Sequence, residues 1–331
     1  MSSLWRAAVA AVASISDEET RVERRGFQVA DSVVVERLES IGRNFVAGYN
    51  AALRCSDLAS LEHTLRTAPE ADTGFRFEGA AMGLAVRDWM TPSSRLMQAF
   101  VDGVGNAHEY MAWVGRGWAF ARLPGSPMRA LERGDSLTRW LALDGYGFHQ
   151  GYFGWRKFIA RQQMPRGLPA EAVRVFDQGL GRSLWFVHGA EPGAVSARIQ
   201  QFVLSRQGDL WSGVGLASAY AGGLNAVKMQ ALRSAGAAHF PQLAQGIVFA
   251  AEARRRAGNP APHTDAICRQ LLGLGGDDAA QLAIDCRPAS GTLADYRNWR
   301  ESIQEHFDNS NSTHASWESS SSPRWVSSHG R

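Results

Sequence analysis

The chain has 331 residues, 45% apolar and 20% charged, which is long enough for one large domain or two ordinary ones around a real core. The net charge of +3 is small, and no broad basic stripe or aromatic platform offers a nucleic-acid interface. No stretch approaches the ~18 apolar residues of a membrane helix, so an integral membrane protein is excluded.

Among the basic residues only Lys157 and Lys228 are lysines, a bias that reads as codon usage rather than as phosphate recognition. The longest basic cluster, Arg254-Arg255-Arg256, ends a helical stretch, where it complements the helix dipole. Cys55, Cys268 and Cys286 form no C-x-x-C pair, which fits a reducing cytoplasm better than a disulfide framework.

Residues 1–25 are polar and alanine-rich, and are expected to form a flexible arm without the features of a signal peptide. From Phe27 to Leu53 apolar residues recur at helical intervals, and Asp57 reads as the cap of a short helix. Helices are expected near 77–90, 94–103, 106–122, 136–161, 169–188, 192–204, 209–223, 225–236, 240–258, 263–274, 277–285 and 292–308, with prolines between them or in first turns. Val33-Val34-Val35 is the one short candidate for a strand. Residues 309–331 are rich in Ser and Asn, a composition that does not offset the entropy of ordering, so a disordered tail is expected there.

Three segments repeat: Phe77-Glu-Gly-Ala-Ala-Met-Gly83, Leu143-Asp-Gly-Tyr-Gly-Phe-His149 and Trp211-Ser-Gly-Val-Gly-Leu-Ala217. Gly115-Arg116 and Gly181-Arg182 form a second matching pair halfway between, and Gly246 continues the series. The resulting half-period of about 30–36 residues is the size of one helical hairpin in a tetratricopeptide-like array. Small residues at offsets 0, 2, 6 and 9 from Gly145 and Gly213 are expected to form a stripe for close helix packing. That closeness would offset the ~1 kcal/mol that each helical glycine costs. The fold expected is all-α: one α/α superhelical domain over residues 26–308.

Several motifs point away from familiar chemistry. Gly145-Tyr-Gly-Phe-His-Gln-Gly151 follows no β-strand, so it is not a dinucleotide loop. Gly181-Arg-Ser-Leu-Trp185 lacks the last glycine of a nucleophile elbow. His108, His149, His188 and His263 have no His or Cys at i+3 or i+4, and neither a metal nor a cofactor is expected.

Glu78, Asp144 and Ser212 occupy the same repeat position, just before a glycine. They are either helix N-terminal caps or dipole partners, or polar groups facing a shared interior groove. His149 lies roughly 140° around a helix from Asp144 and needs a partner from elsewhere. Arg116 and Arg182 are equivalent as well, and either pair with carboxylates or bind an acidic group of a substrate. The catalytic candidates are Glu78, Asp144, His149 and Arg182, with Trp118, Tyr146, Gln150, Trp185 and Tyr220 as candidates for substrate binding.

Six ordered blocks carry a resemblance: Phe77–Ala85, Val114–Pro124, Trp140–Phe153, Gly179–Val187, Leu210–Ala217 with Tyr220–Gly223, and Leu243–Gly246 with Phe249–Ala251. In these the chain resembles the UnbL-like family, a domain of unknown function encoded beside enediyne polyketide synthases in actinobacteria, over roughly residues 24–308. Arg87-Asp-Trp-Met90 is more polar than that family leads one to expect, and the Ser-rich tail is idiosyncratic. The resemblance implies a cytoplasmic role in enediyne biosynthesis, acting on or binding an apolar polyene-derived intermediate, and it carries over no catalytic residues. A helical-repeat adaptor that assembles other enediyne pathway proteins is the alternative.

Overall fold

The computed structural model describes residues 3–318 apart from Gln28, with side chains from residue 4 to residue 308. The described residues are helical or irregular and contain no strand, so the fold is all-α. Seven long helices carry the architecture: α1 (Ser32–Arg54), α2 (Thr73–Met90), α3 (Glu109–Arg122), α4 (Leu141–Phe153), α5 (Ala170–Val187), α6 (Leu204–Ala221) and α7 (Phe240–Ala257). They are followed by α8 (Gly276–Asp285) and α9 (Leu293–Glu318). Short segments such as Leu58–Leu65, Pro192–Ile199 and Ala226–Ala235 return the chain between long helices.

Consecutive long helices run parallel. Gly79 of α2 faces Phe45 and Tyr49 of α1, and one turn on Gly83 faces Tyr49 and Ala52. Likewise Gly147 of α4 faces Phe176 and Leu180 of α5, while Gly151 faces Leu180 and Ser183. At each of these junctions backbone meets backbone. A β-carbon on Gly145 would fall well under 3.0 Å from the Val114 carbonyl of α3, and one on Gly179 would do the same to the Asp144 carbonyl of α4. Gly181 stands in this way against Leu210 of α6, and Gly246 against Ser212.

The expected single stripe divides in two. Residues two apart point about 200° apart on a helix, so Gly145 serves α3 while Gly147 serves α5. A Gly-x-Gly pair in the middle of the array is therefore one contact for each neighbour. The repeating period holds one long helix and a short return segment, and the glycine contacts join long helices of successive periods.

The row of helices curls back on itself. Arg37 of α1 donates to the Ala221 carbonyl at the end of α6 (2.8 Å) and pairs with Asp72 (2.6 Å). Phe75 of α2 meets the Tyr220 ring of α6 at 5.3 Å. Arg254 of α7 donates to the carbonyls of Tyr220 (2.5 Å), Asn259 (3.0 Å) and Ala71 (3.2 Å). Helix α9 packs across the arc: Trp299 stacks near Phe249 of α7 (4.5 Å) and faces Tyr110 of α3, while Arg300 pairs with Asp209 of α6 (2.7 Å).

Residues 3–27 differ from the flexible arm expected. They form a helix (Ser3–Ala13) and two short turns, and pack onto the arc. Asn50 exchanges two hydrogen bonds with the Ile15 backbone (3.0 and 2.8 Å), Tyr49 donates to the Ala13 carbonyl (2.9 Å), and Phe27 meets Tyr152 edge-on at 5.1 Å. Composition hid this, because the few apolar residues that anchor the segment, Val22 and Phe27 among them, are widely spaced. Other boundaries also shift. Val33-Val34-Val35 lies in α1, and the helix expected over 136–161 breaks at Gly154 into α4 and a π-turn, Arg156–Ala160. Helix α9 runs to Glu318, inside the tail expected to be disordered; residues 319–331 lie outside the described residues.

Gly145→Ala should destabilise the protein by roughly 1–3 kcal/mol through overpacking, despite the ~1 kcal/mol that alanine gains in a helix. Gly193→Ala, where nothing lies within 4 Å of the added carbon, should leave stability unchanged or slightly raised. Urea unfolding of both variants checks this, and a stabilised Gly145→Ala would refute the backbone-contact account.

Candidate functional site

The residues that precede the contact glycines converge inside the arc. Asp144 is fully buried and accepts from Arg182 Nη1 (2.5 Å) and Gln178 Nε2 (2.8 Å). Ser212 bonds to Gln178 Oε1 (3.2 Å) and Gln245 Oε1 (2.7 Å), and Arg300 reaches the latter oxygen (3.3 Å). A buried polar ladder thus joins four adjacent helices to α9. The reading of Glu78, Asp144 and Ser212 as caps gives way to the interior one, although Asp144 does lie in the first turn of α4. Gln178 and Gln245 escaped sequence reasoning, yet each directly precedes a contact glycine, Gly179 and Gly246.

Beside this ladder runs a narrow, mostly apolar slot. Its walls are Leu38, Ile41, Phe45 and Val46 of α1, Phe75 of α2, Trp118 of α3, Phe148, Tyr152 and Phe153 of α4, and Phe186 of α5. Only about 50 Å³ is open to the centres of water-sized spheres, room for a few waters. Two charged side chains line the deep part, Glu78 and Arg182, both buried. Trp118 donates its indole N–H to Glu78 Oε1 (3.0 Å) and stacks on Phe45 (4.2 Å).

Burial pushes the Glu78 carboxyl up to about 7; Arg182 and the Trp118 hydrogen bond oppose the rise, and Asp144 adds to it. Burial alone would pull the Arg182 guanidinium down, but Asp144 and Glu78 together hold it above its ordinary value. The result is a buried Arg182–Asp144 ion pair beside a carboxyl that titrates near neutrality. Such a carboxyl is suited to give and take a proton.

The other candidates scatter. His149 lies against Trp118 (5.5 Å, edge-on) and Phe153 (4.7 Å), behind the slot wall, and burial holds it down to about 3. It is a neutral imidazole and forms no dyad with Asp144. Tyr146 packs on Phe176 (5.4 Å), and Gln150 is half-buried away from the slot. Trp185 donates to the Gly222 carbonyl (3.0 Å), a bond that ties α5 to the end of α6. Tyr220 lines a second, smaller cavity with Tyr110, Leu216 and Phe249, and Arg182 borders both cavities. Among the described residues Arg116 pairs with no carboxylate, and it lies over the rings of Trp113 (5.3 Å) and Phe120 (5.8 Å). Among the described residues no three His, Cys, Asp or Glu side chains cluster as metal ligands would, and no helix is long and apolar enough to cross a membrane.

Two predictions follow from the charges. Asp144→Ala leaves a buried guanidinium uncompensated and should cost about 3–5 kcal/mol, while adding Arg182→Met should restore much of the loss; denaturant unfolding of the single and double variants measures it. For Glu78, a native value near 7 against an ordinary 4.5 means that the folded state binds more protons between those pH values. Stability should therefore fall as pH rises from about 4.5 to about 7. Glu78→Gln should remove this component of the slope, and unchanged pH profiles of unfolding would contradict the assignment.

A family profile described as "Protein of unknown function (DUF1702)" matches residues 4–307, nearly the whole chain. No curated protein matches it, and no solved structure matches it.

Proposed function

The chain belongs to this family of unknown function, and from the slot and its charges we propose that it binds an elongated apolar intermediate and moves a proton on it. The observation that carries the reading is Glu78: a carboxyl near neutrality at the deep end of an aromatic slot, held by Trp118 and set beside Arg182. Aromatic walls with a few convergent polar groups are the ordinary form of a small-molecule site.

The resemblance to the UnbL-like family supplies the ligand class, a polyene-derived polyketide intermediate of enediyne biosynthesis in the cytoplasm. On such a chain, protonated Glu78 gives its proton to one carbon of the conjugated system. Loss of a proton from another carbon to the same carboxylate restores the acid and shifts the double bonds. The step has no net redox change and needs no cofactor. Arg182 stabilises the carboxylate form between the two transfers, and Asp144 fixes Arg182 in place. The slot is narrow in this conformation, so a chain seats by displacing half-buried mouth residues such as Ile15 and Phe153.

The adaptor reading comes second. It calls for an open groove displaying the polar repeat positions, whereas Asp144 and Glu78 are 0% and 3% exposed.

Titration with a linear conjugated polyene should quench tryptophan fluorescence and perturb the polyene absorption. Trp118→Ala should weaken binding, and Glu78→Gln should retain binding while abolishing any double-bond shift. Protein that neither binds nor alters the polyene would overturn the reading. Deleting the gene in its host and identifying the polyene that accumulates tests the pathway.

A further inference from the structure

One wall of the slot is built differently from the rest. Its five helices, α1 to α5, are locked in pairs by backbone contact: Gly48 against the Arg76 carbonyl, Gly115 against that of Glu78, Gly117 against that of Ala142, and Gly147 against that of Phe176. The remaining wall is the N-terminal segment, which contributes Ile15, Glu19 and Thr20. Its residues 16–26 hold two short turns, Asp17–Thr20 and Val22–Arg25, braced to each other by Glu19 with Arg24 (2.6 Å) and Arg25. They meet the helices only through side chains and single hydrogen bonds. The Val22 N–H donates to Glu39 (3.0 Å), and Trp155 Nε1 donates to the Arg25 carbonyl (3.1 Å). Gly42 of α1 is shaped to this segment. The three atoms nearest to a β-carbon placed there all belong to Thr20, with the Thr20 β-carbon at 2.8 Å. The segment also has defined ends: Asn50 grips the Ile15 backbone with two hydrogen bonds, and Gly26 turns in the left-handed region at φ +71°.

The closed slot has room for a few waters and not for a polyene chain, so a wall must move to load it. Segments held by few buried contacts open first, whereas helices in backbone contact move only together. We propose that residues 16–26 are a hinged lid: the segment swings off α1 on its Ile15 and Gly26 ends, admits the apolar ligand, and latches again by seating Thr20 on Gly42. This rests on the slot being the binding site and adds the route of entry. The internal brace through Glu19 lets the two turns move as one piece. Opening breaks the Val22–Glu39 and Trp155–Arg25 bonds and lifts Thr20 out of its seat, while the glycine junctions of the array stay intact. Closure also serves the chemistry. With the lid down the slot is covered, so water is kept from Glu78 while it exchanges its proton with the ligand.

The test follows uptake of a linear conjugated polyene by stopped-flow tryptophan quenching. Thr20→Cys combined with Gly42→Cys places two thiols across the latch. The 2.8 Å separation there needs only a slight widening to reach the ~3.5–4.5 Å between the β-carbons of a disulfide. After oxidation with diamide the association rate should fall by about tenfold or more, since binding then lacks the opening it requires. A reductant should restore it. Thr20→Cys alone, treated alike, accounts for the native Cys55, Cys268 and Cys286 and should not be slowed. Gly42→Ala carries the test without a cross-link. It pushes Thr20 off its seat and should speed both uptake and release several-fold. It should also speed tryptic cleavage after Arg21 and Arg24, both exposed, and bound polyene should slow that cleavage in the unaltered protein. Unchanged uptake by the cross-linked protein, or unaltered rates in Gly42→Ala, would overturn the lid and leave the slot as a binding site. A polyene that binds neither the open nor the unaltered form would overturn the slot reading itself.

Discussion

Backbone contact between parallel helices sets the form of this protein. Each long helix brings a glycine against a carbonyl of its neighbour, at Gly79 on Phe45, Gly145 on Val114, Gly179 on Asp144 and Gly246 on Ser212. Helices usually pack through side chains that hold their axes 8–10 Å apart. Here the side chain is missing at the point of crossing, so the residues on either side of it are drawn inward. Close approach of this kind offsets the intrinsic cost of glycine in a helix, and it cannot be relaxed at one junction without moving the next.

The polar interior follows from that approach. Because the helices nearly touch at the glycines, the residue preceding each glycine is delivered to the same depth. Asp144, Gln178, Ser212 and Gln245 therefore meet their neighbours across successive junctions. Buried polar groups at such spacing must satisfy one another or destabilise the fold. The ladder does so with amides, a hydroxyl and two buried ion pairs, leaving Gln245 Nε2 without a partner among the described residues; Arg182–Asp144 stands at the end next to the slot and Arg300–Asp209 beside Gln245. Glu78 occupies the equivalent position on α2 but finds an indole rather than a further amide, and its carboxyl is left to titrate near neutrality. Structural scaffold and candidate chemistry are thus one series of positions read at different helices.

The two ends of the chain complete the enclosure. Residues 15–27 lie over the slot, with Thr20 set against Gly42, and α9 covers α5, α6 and α7 elsewhere on the arc. The slot is therefore a pocket with a covered mouth rather than an open concave face. That is why its acid and base properties are set by burial more than by exposed charge.

The helical class was legible in the sequence, since apolar periodicity and proline placement are local signals. So was the repeat, since Gly79, Gly145 and Gly213 stand at nearly equal spacing. Glu78, Asp144 and Arg182 could be singled out because repetition marks a position even when its role is unknown. Three things depended on the tertiary structure. A glycine pair two residues apart does not reveal that its members serve opposite neighbours. His149 and Trp185 look as functional as Glu78 until burial and hydrogen bonding are known. The packing of residues 3–27 rests on single contacts with distant helices, Ile15 with Asn50 and Phe27 with Tyr152. Periodicity encodes what each helix does along its own axis; which groups are left without partners is decided only when separate helices are brought together.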